Sequence, residues 1–163
     1  METALKGIAE EAPYRDAVGR LRCFRGIDTT TAMTLVSEPH GFMRFRNPTQ
    51  LMAYLGLVPT EYSSGASTRR GGITKAGNGH VRRVLIEAAW HYRHKPRVSR
   101  DIKKRREGQP PSAIACADKA MRRLHKKWTG MVYRGKPTTK ATTAVARELV
   151  GFIWATMMEA QAA

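Results

Sequence analysis

A long polar segment at the centre of the chain restricts its possible folds more than any other feature. Residues 61–78 read EYSSGASTRRGGITKAGN, with four glycines, three basic residues and no acid after Glu61. They show no repeat of three or four residues, which excludes an amphipathic helix, and no alternation long enough to predict a strand. We therefore predict a long irregular glycine-rich basic loop. Loops of this length inside a compact domain are usually functional or disordered.

Helical patterns flank this segment on both sides. Asn47 should cap a helix that starts at Pro48, and Gly56 should lie just past its end. Apolar residues recur at helical spacing along 79–95 and again along 139–160. The fold class is therefore predicted to be mainly α, with the irregular loop between two helices.

The composition of the connecting segments suggests how the chain is organised. We divide it into a core at 1–94, a basic proline-containing connector at 95–111 and a helical pair at 112–163 that packs on the core. Residues 93–106 carry eight Lys or Arg against the single acid Asp101. Because blocks of like charge resist compact packing, we expect proteases to cleave the connector unless nucleic acid neutralises it.

The charge balance indicates the kind of partner. The 163 residues include 29 Lys and Arg against 13 Asp and Glu, a net charge of +16 with a pI near 10.6. Such an excess repels itself in the folded state and usually reflects a polyanionic partner. The longest apolar run, at 149–158, is too short to span a bilayer. Cys23 and Cys116 match no ligand spacing, so we expect reduced thiols in a cytoplasmic, nucleoid-associated protein with no membrane partner.

Acidic residues are too scattered to suggest a self-contained metal centre. A two-metal nuclease site needs several carboxylates around a pair of ions, and none lies between Glu61 and Glu87. His91 and His94 stand three residues apart, but no third ligand accompanies them. We predict no metal ligand in this chain and interpret the two histidines as a solvated or stacking face.

The segment LRCFRGIDTTTAMTL, at 21–35, is similar to a helix-hairpin-helix motif. In that motif a glycine-rich turn lets backbone amides at the start of the second helix contact a phosphate. Gly26 and Thr31 would make that contact here. Asp28 replaces the second glycine, repels phosphate and can act as an ordinary helix cap. A structural hairpin and a DNA-contacting one both stay open.

The central segment holds the residues best suited to chemistry on phosphodiesters. Its glycines let the backbone approach a ligand, and Arg69, Arg70 and Lys75 supply charge suited to phosphate. A hydroxyl of Ser63 or Ser64 can attack a phosphodiester if a base or metal activates it and cations stabilise the transition state. On composition alone, a polar loop whose serines make turns is the stronger interpretation.

Longer ordered motifs resemble a known family. They are LRCFRGIDTTTAMTLVSE, RFRNPTQLMAYLGLVPTEYSSGASTRRGGITKAGNGHVRRVLIEAAW and VARELVGFIWA. Together they resemble the C-terminal half of transposases of the insertion-sequence-110 class, which are grouped with IS116 and IS902 and are relatives of the Piv DNA invertase. The resemblance covers nearly the whole chain. It implies DNA transposition or site-specific recombination through a serine nucleophile.

The resemblance also implies roles for particular residues and partners. The nucleophilic serine of the family lies in an SG pair, which here is Ser64 with Gly65, and Ser63 is the fallback. The family pattern implies a RuvC-like N-terminal domain with four acidic residues and Mg²⁺, a structured bridge RNA that pairs with DNA, and a homo-oligomer when complete. The predicted nucleic-acid contacts are Gly26, Thr31, Arg69, Arg70, Lys75, Asn78, Arg82 and Arg83.

The resemblance begins only a few residues after Met1. We therefore expect a truncated or split copy that lacks the RuvC-like half, and with it the Mg²⁺ site and independent activity. The rival interpretation, from another functional class, is a non-catalytic module that binds DNA or RNA through the helical hairpin and basic helix faces.

Overall fold

The computed structural model describes residues 2–162, apart from the side chains of Glu2 and Ser63. This part of the chain contains eight α-helices and one antiparallel pair of strands. In chain order they are α1 (Glu2–Ala9), α2 (Tyr14–Leu21), α3 (Thr29–Ser37), α4 (Pro48–Tyr54), β1 (Pro59–Ser64), β2 (Ser67–Ile73), α5 (Gly79–Trp90), α6 (Arg100–Arg105), α7 (Pro111–Tyr133) and α8 (Thr138–Ala162). Single turns of 3-10 helix occur at Phe42–Arg44 and His91–Arg93. The mainly α prediction is confirmed.

Capping side chains set the starts of the helices around the central segment. Asn47 accepts a hydrogen bond from the Gln50 amide at 3.0 Å, and Pro48 stands in the first turn of α4. Asn78 accepts one from the Val81 amide at 3.0 Å and begins α5. Such a cap satisfies an amide that the helix itself leaves free. The starts of α4 and α5 are therefore fixed by local sequence.

One cluster of buried apolar side chains joins the N-terminal helices to α7 and α8. Helix α8 packs against α7, α5 and α4, and its Val145, Leu149 and Ile153 are at most 2% exposed. On α5, Val81 and Leu85 are buried at the spacing that the amphipathic pattern predicted. Burying each Leu, Ile or Val side chain contributes about 1.5–3 kcal/mol. This core holds α5, and with it the end of the central segment, in place.

The central segment is not the irregular loop that the sequence predicted. Residues 59–73 form an antiparallel hairpin, and Gly65 and Ala66 alone join its strands. The prediction was wrong because the strands are held by their own backbone pairing, whereas sequence patterns detect strands through a buried apolar face. Residues 67–72 of β2 are all exposed. Only residues 74–78, which lead into α5, are irregular.

The basic connector is also more ordered than predicted. Helix α6 lies inside it and buries Ile102. Arg25, in the turn after α2, donates hydrogen bonds to the backbone carbonyls of His94, Lys95 and Arg97 at 2.9, 3.1 and 2.6 Å. These hydrogen bonds to the core oppose the repulsion within the charge block. The predicted protease sensitivity of the connector, and its loss when nucleic acid is added, stays a prediction.

Two arginines of the connector complete its attachment to the core. Arg106 is buried and donates from Nε and Nη2 to the Cys23 carbonyl, at 3.2 and 3.1 Å. Its Nη1 donates to the Asp118 carboxylate at 2.8 Å. Arg105 donates to the Ile27 carbonyl at 2.6 Å, and burial lowers its pKa. These guanidinium groups act as packing groups between the connector and the turn after α2.

Two remaining predictions concern the thiols and the membrane. Cys23 is buried and Cys116 is half-buried, and neither is paired in a disulfide within the described residues. Burial raises the pKa of Cys23 despite the arginines around it. Among the described helices, none combines the length and the apolar character that a bilayer crossing requires.

Candidate functional site

One face of the hairpin carries the candidate nucleophile. Directly opposed residues of an antiparallel pair share a face, and successive residues alternate. Ser64 pairs with Ser67 next to the turn, and Tyr62 pairs with Arg69, so these four side chains share a face. All four are exposed, Tyr62 to 70%. The side chain of Ser63, the alternative nucleophile, lies outside the described residues.

The opposite face of the hairpin carries Glu61 and Arg70. The two residues are paired across the strands, and Arg70 Nε lies 3.5 Å from Glu61 Oε1. Because Arg69 and Arg70 are adjacent on one strand, they point to opposite sides. The sequence prediction grouped them as one phosphate site, whereas the hairpin separates them. Glu61, the acid nearest to Ser64 in sequence, points away from it.

The root of the hairpin, residues 74–77, is clamped to the end of α4. Gly56 and Gly77 have φ values of +66° and +73°. A Cβ atom on Gly56 would lie 2.2 Å from the Ala76 carbonyl oxygen, and one on Gly77 would lie 1.8 Å from the Tyr54 carbonyl oxygen. The Lys75 amide donates to the Gly56 carbonyl at 3.1 Å. Only glycine permits such an approach, so the hairpin projects from a fixed root.

Arg82, which the sequence predicted as a nucleic-acid contact, stabilises this root. Its Nη1 donates to the carbonyls of Leu55 and Ala76 at 3.0 and 3.1 Å. These bonds join α5 to the end of α4 and to the root. The guanidinium of Arg82 is therefore already used inside the protein, whereas the neighbouring Arg83 is exposed on α5.

A carboxylate that sequence reasoning missed ties α3 to the start of α5. Glu38 accepts a hydrogen bond from Asn78 Nδ2 at 2.6 Å and lies 2.5 Å from His80 Nδ1. Burial raises the pKa of Glu38, but the hydrogen bonds from Asn78 and His80 outweigh it and leave that pKa below its usual value. Asn78 is thus held by both ends of its amide. Partners 40 residues apart obey no local spacing rule, so the sequence carried no signal for this contact.

The turn after α2 shows what the helix-hairpin-helix residues do inside the fold. Gly26 has a φ of +80°, and a Cβ atom there would lie 2.5 Å from the Ala88 carbonyl oxygen of α5. The Thr31 amide donates to Asp28 Oδ1 at 2.8 Å, so Asp28 caps α3. The glycine allows close helix packing, and the aspartate satisfies the amide. A structural hairpin therefore accounts for both features.

A polar cleft lies between this turn and the connector. It has a volume of about 460 Å³, and charged and imidazole side chains of both signs line it: Arg25, Arg97, Arg105, Asp28, Asp101, His91 and His94. Burial lowers the pKa of His91, so this imidazole stays neutral at neutral pH. Across the described residues, no group of three or more His, Cys, Asp or Glu side chains is arranged to hold a metal ion.

Comparison with known proteins gives this geometry a context. Residues 19–103, which include the hairpin, match the family described as Transposase IS116/IS110/IS902 family. A protein of Sinorhizobium fredii, y4qE, whose name places it among the transposases, is 46% identical over 157 residues, covering 94% of this chain and 40% of that protein. The transposase for insertion sequence element IS1533 of Leptospira borgpetersenii is 37% identical over 149 residues, covering 86% of this chain and 41% of that protein.

A further transposase matches a shorter part of the chain. The transposase for insertion sequence element IS1111A of Coxiella burnetii is 32% identical over 88 residues, covering 54% of this chain and 23% of that protein. The chain spans about two fifths of the length of the Sinorhizobium and Leptospira relatives. No solved structure gives a significant match.

Proposed function

Since the chain belongs to the IS116/IS110/IS902 transposase family, we propose that it is the serine-bearing part of an insertion-sequence transposase, with Ser64 as the nucleophile. One observation carries the proposal. Ser64 stands next to the turn of a projecting hairpin, exposed and on the same face as Arg69, while the root of the hairpin is fixed to the helical core. A nucleophile near the tip of a projecting hairpin can contact a DNA strand that lies outside the helical core.

The proposed chemistry exchanges one phosphodiester bond for another. The Ser64 oxygen attacks the phosphorus of the DNA backbone, and the bond from phosphorus to one sugar oxygen breaks. The serine proton passes to a base, and the departing sugar oxygen takes up a proton. Arg69 stabilises the negative charge that develops on the phosphoryl oxygens, because a fixed cation near such charge lowers the barrier. Lys75 adds positive charge at the hairpin root.

We assign the activating base and Mg²⁺ to a RuvC-like domain. A serine hydroxyl is a weak nucleophile at neutral pH and needs an activating group. Glu61 is paired with Arg70 on the opposite face of the hairpin. The described residues hold no carboxylate set that fits Mg²⁺. This chain therefore contributes the nucleophile and the cations, and the other domain contributes the acids.

The proposed DNA path follows the serine face of the hairpin. Arg69 contacts a phosphate there, Lys75 contacts one at the hairpin root, and Arg83 is exposed on the adjoining helix α5. Asn78 and Arg82 act as positioning residues, since their polar groups are bonded within the protein. A bridge RNA and a homo-oligomer belong to the same proposal.

Formation of a covalent protein–DNA adduct tests the proposal. The full chain is mixed with a RuvC-like domain from a family relative, Mg²⁺, guide RNA and labelled DNA, and the adduct is detected by denaturing electrophoresis and peptide mass spectrometry. We expect Ser64→Ala to abolish the adduct and leave DNA binding unchanged. Ser67→Ala, the serine opposite Ser64 on the same face, is the matched control and should retain the adduct.

Two further pairs of variants refine this test. Arg69→Ala should slow adduct formation by about 10²-fold, whereas Arg70→Ala, on the opposite face, should have little effect. If Ser63→Ala loses the adduct and Ser64→Ala keeps it, the nucleophile is Ser63 and not Ser64. An adduct that survives loss of both serines would overturn the mechanism. If wild-type protein binds DNA but never forms an adduct, the non-catalytic binding module is the better description.

A further inference from the structure

A second basic surface lies on α7 and α8, outside the residues 19–103 that match the family. Residues 119–147 contain nine Lys or Arg and no Asp or Glu. Between the end of α7 and the adjoining part of α8 runs a groove of about 550 Å³, lined by five of these cations together with Gly130, Met131 and Glu148. Its composition indicates an anionic ligand.

Only part of the charge in this groove is used inside the protein. Glu148 accepts a hydrogen bond from Lys127 Nζ at 2.6 Å and another from Arg123 Nε. Burial raises the pKa of Glu148, but these two cations outweigh it and hold that pKa below its usual value. The other cations of the groove are exposed and have no ion-pair partner in the described part of the chain. They are Lys126, Arg134 and Lys136.

Gly130 leaves the floor of the groove open. It lies inside α7, where glycine is unfavourable relative to alanine. Among the described side chains, a Cβ atom at this position would meet nothing closer than Arg134 Nη1, at 3.8 Å. Packing therefore does not require glycine here. The missing side chain gives a ligand room to approach the backbone of α7.

An exposed aromatic residue, Tyr133, lies at the end of α7 next to the residues that line the groove, although it is not one of them. Tyr133 is 92% exposed and follows Gly130 by three residues, so both lie on one side of α7. Lys119 and Lys126 continue this stripe, which extends about 21 Å along the helix axis. Cations that follow a phosphate backbone beside an aromatic ring are typical of sites for single-stranded nucleic acid, because unpaired bases stack on the ring. A duplex offers no free base to Tyr133.

We propose that the α7–α8 groove, lined by Lys126, Gly130, Arg134 and Lys136 and extended by Tyr133 beside it on α7, binds an unpaired nucleic-acid strand. Its phosphates lie against the three free cations, and a base stacks on Tyr133. DNA and RNA share this chemistry. The groove uses neither Ser64 nor the hairpin, so it supplies a second hold on nucleic acid, independent of the nucleophile.

Binding of labelled oligonucleotides to the full chain tests this proposal. The ligands are single-stranded DNA, single-stranded RNA of the same sequence, and the corresponding duplex. Lys126→Ala/Lys136→Ala should weaken single-strand binding about tenfold and lower the salt slope by about 1.4, since each lost phosphate contact on a single strand removes about 0.7. The matched control, Lys103→Ala/Lys104→Ala, removes the same charge from exposed positions on α6 and should leave the slope nearly unchanged.

Two uncharged changes separate a shaped groove from general attraction to polyanions. Tyr133→Ala should weaken single-strand binding at least about fivefold and leave duplex binding unchanged. Gly130→Leu fills the groove without altering charge and should also weaken single-strand binding, while the circular dichroism spectrum stays that of the wild type. Whichever of single-stranded DNA and single-stranded RNA binds more tightly is the type of strand that the groove prefers.

Equal losses for the groove double variant (Lys126→Ala/Lys136→Ala) and the α6 double variant would overturn the proposal, because binding would then follow net charge alone. Tyr133→Ala with no effect on either single strand would overturn it as well. The Ser64→Ala protein should bind all three ligands normally. A missing adduct together with intact groove binding therefore rejects the nucleophile and leaves the groove standing.

Discussion

The connector and the hairpin carry the same kinds of cation and use them in opposite ways. In the connector, Arg105 and Arg106 donate hydrogen bonds to carbonyls of the turn after α2, and Arg25 of that turn donates to the connector carbonyls of Lys95 and Arg97 in return. In the hairpin, Arg69 is exposed and makes no ion pair within the described residues. Both segments are rich in Lys and Arg, so composition alone does not distinguish them. The hydrogen-bond partners of their arginines do.

The difference has a physical cause at the end of α2. The last carbonyls of a helix and those of the turn beyond it lack helical partners, and their burial is costly unless a donor reaches them. Arg106 supplies that donor for Cys23, and Arg105 supplies it for Ile27. The hairpin satisfies its own backbone through strand pairing. It therefore leaves Arg69 free for a ligand.

Replacement of Arg106 by alanine is the strongest test of this comparison. The change leaves the Cys23 carbonyl and the Asp118 carboxylate without their donor, so we expect a loss of about 3 kcal/mol in the free energy of unfolding, measured in urea. The variant should also expose the connector to proteases. Lys104→Ala, an exposed neighbour, should change stability by less than about 0.5 kcal/mol. Equal effects of the two variants would mean that connector cations are not structural.

The sequence could predict the helices but not the attachment of the connector. The cap at Asn47 and the apolar stripe of α5 are local signals, and both elements appear where the sequence placed them. The contact between Arg106 and Cys23 joins residues 83 positions apart. A prediction from local charge treats Arg106 as solvated, because the residues near it in sequence do not include its hydrogen-bond partner Cys23.

The candidate site was predictable in composition and not in geometry. The sequence placed Ser64 beside cations, and the family resemblance singled it out. The hairpin register then decides which cation accompanies it, since one residue of shift exchanges the two faces. That register brings Arg69 to the serine face and sends Arg70 to Glu61. It depends on strand pairing, for which the exposed side chains gave no apolar signal.

A second prediction tests whether the hairpin depends on its root. Gly77→Ala should cost about 2 kcal/mol, because the backbone has a positive φ and the new Cβ atom would collide with the Tyr54 carbonyl. Loss of amide protection should concentrate in the hairpin, as measured by hydrogen exchange. Gly72→Ala is the matched control, since a Cβ atom there meets nothing within 4 Å. Similar exchange in both variants would contradict a clamped root.

A third prediction uses the depressed pKa of Glu38. A carboxyl group whose pKa is lowered by folding adds stability above its usual pKa, and that stability is lost as pH falls through the lower folded value. Glu38→Gln should therefore cost about 1 kcal/mol at neutral pH, and its difference from the wild type should shrink below about pH 4. Glu87→Gln, exposed on α5, is the control. A stability difference that does not vary with pH would mean that the ionised form of Glu38 does not stabilise its contacts with Asn78 and His80.

The smallest expected effect is the most direct measure of the contrast between the two segments. Each phosphate contact on duplex DNA adds about 0.9 to the slope of log affinity against log salt. Arg69→Ala should lower this slope by nearly that amount, because its guanidinium is exposed beside Ser64. Arg25→Ala should leave the slope unchanged, since its donors are already bonded to connector carbonyls. Fluorescence anisotropy over a salt series measures both. Equal reductions would show that an arginine bonded to the connector also reaches phosphate. No reduction for Arg69→Ala would show that Arg69 does not contact the DNA.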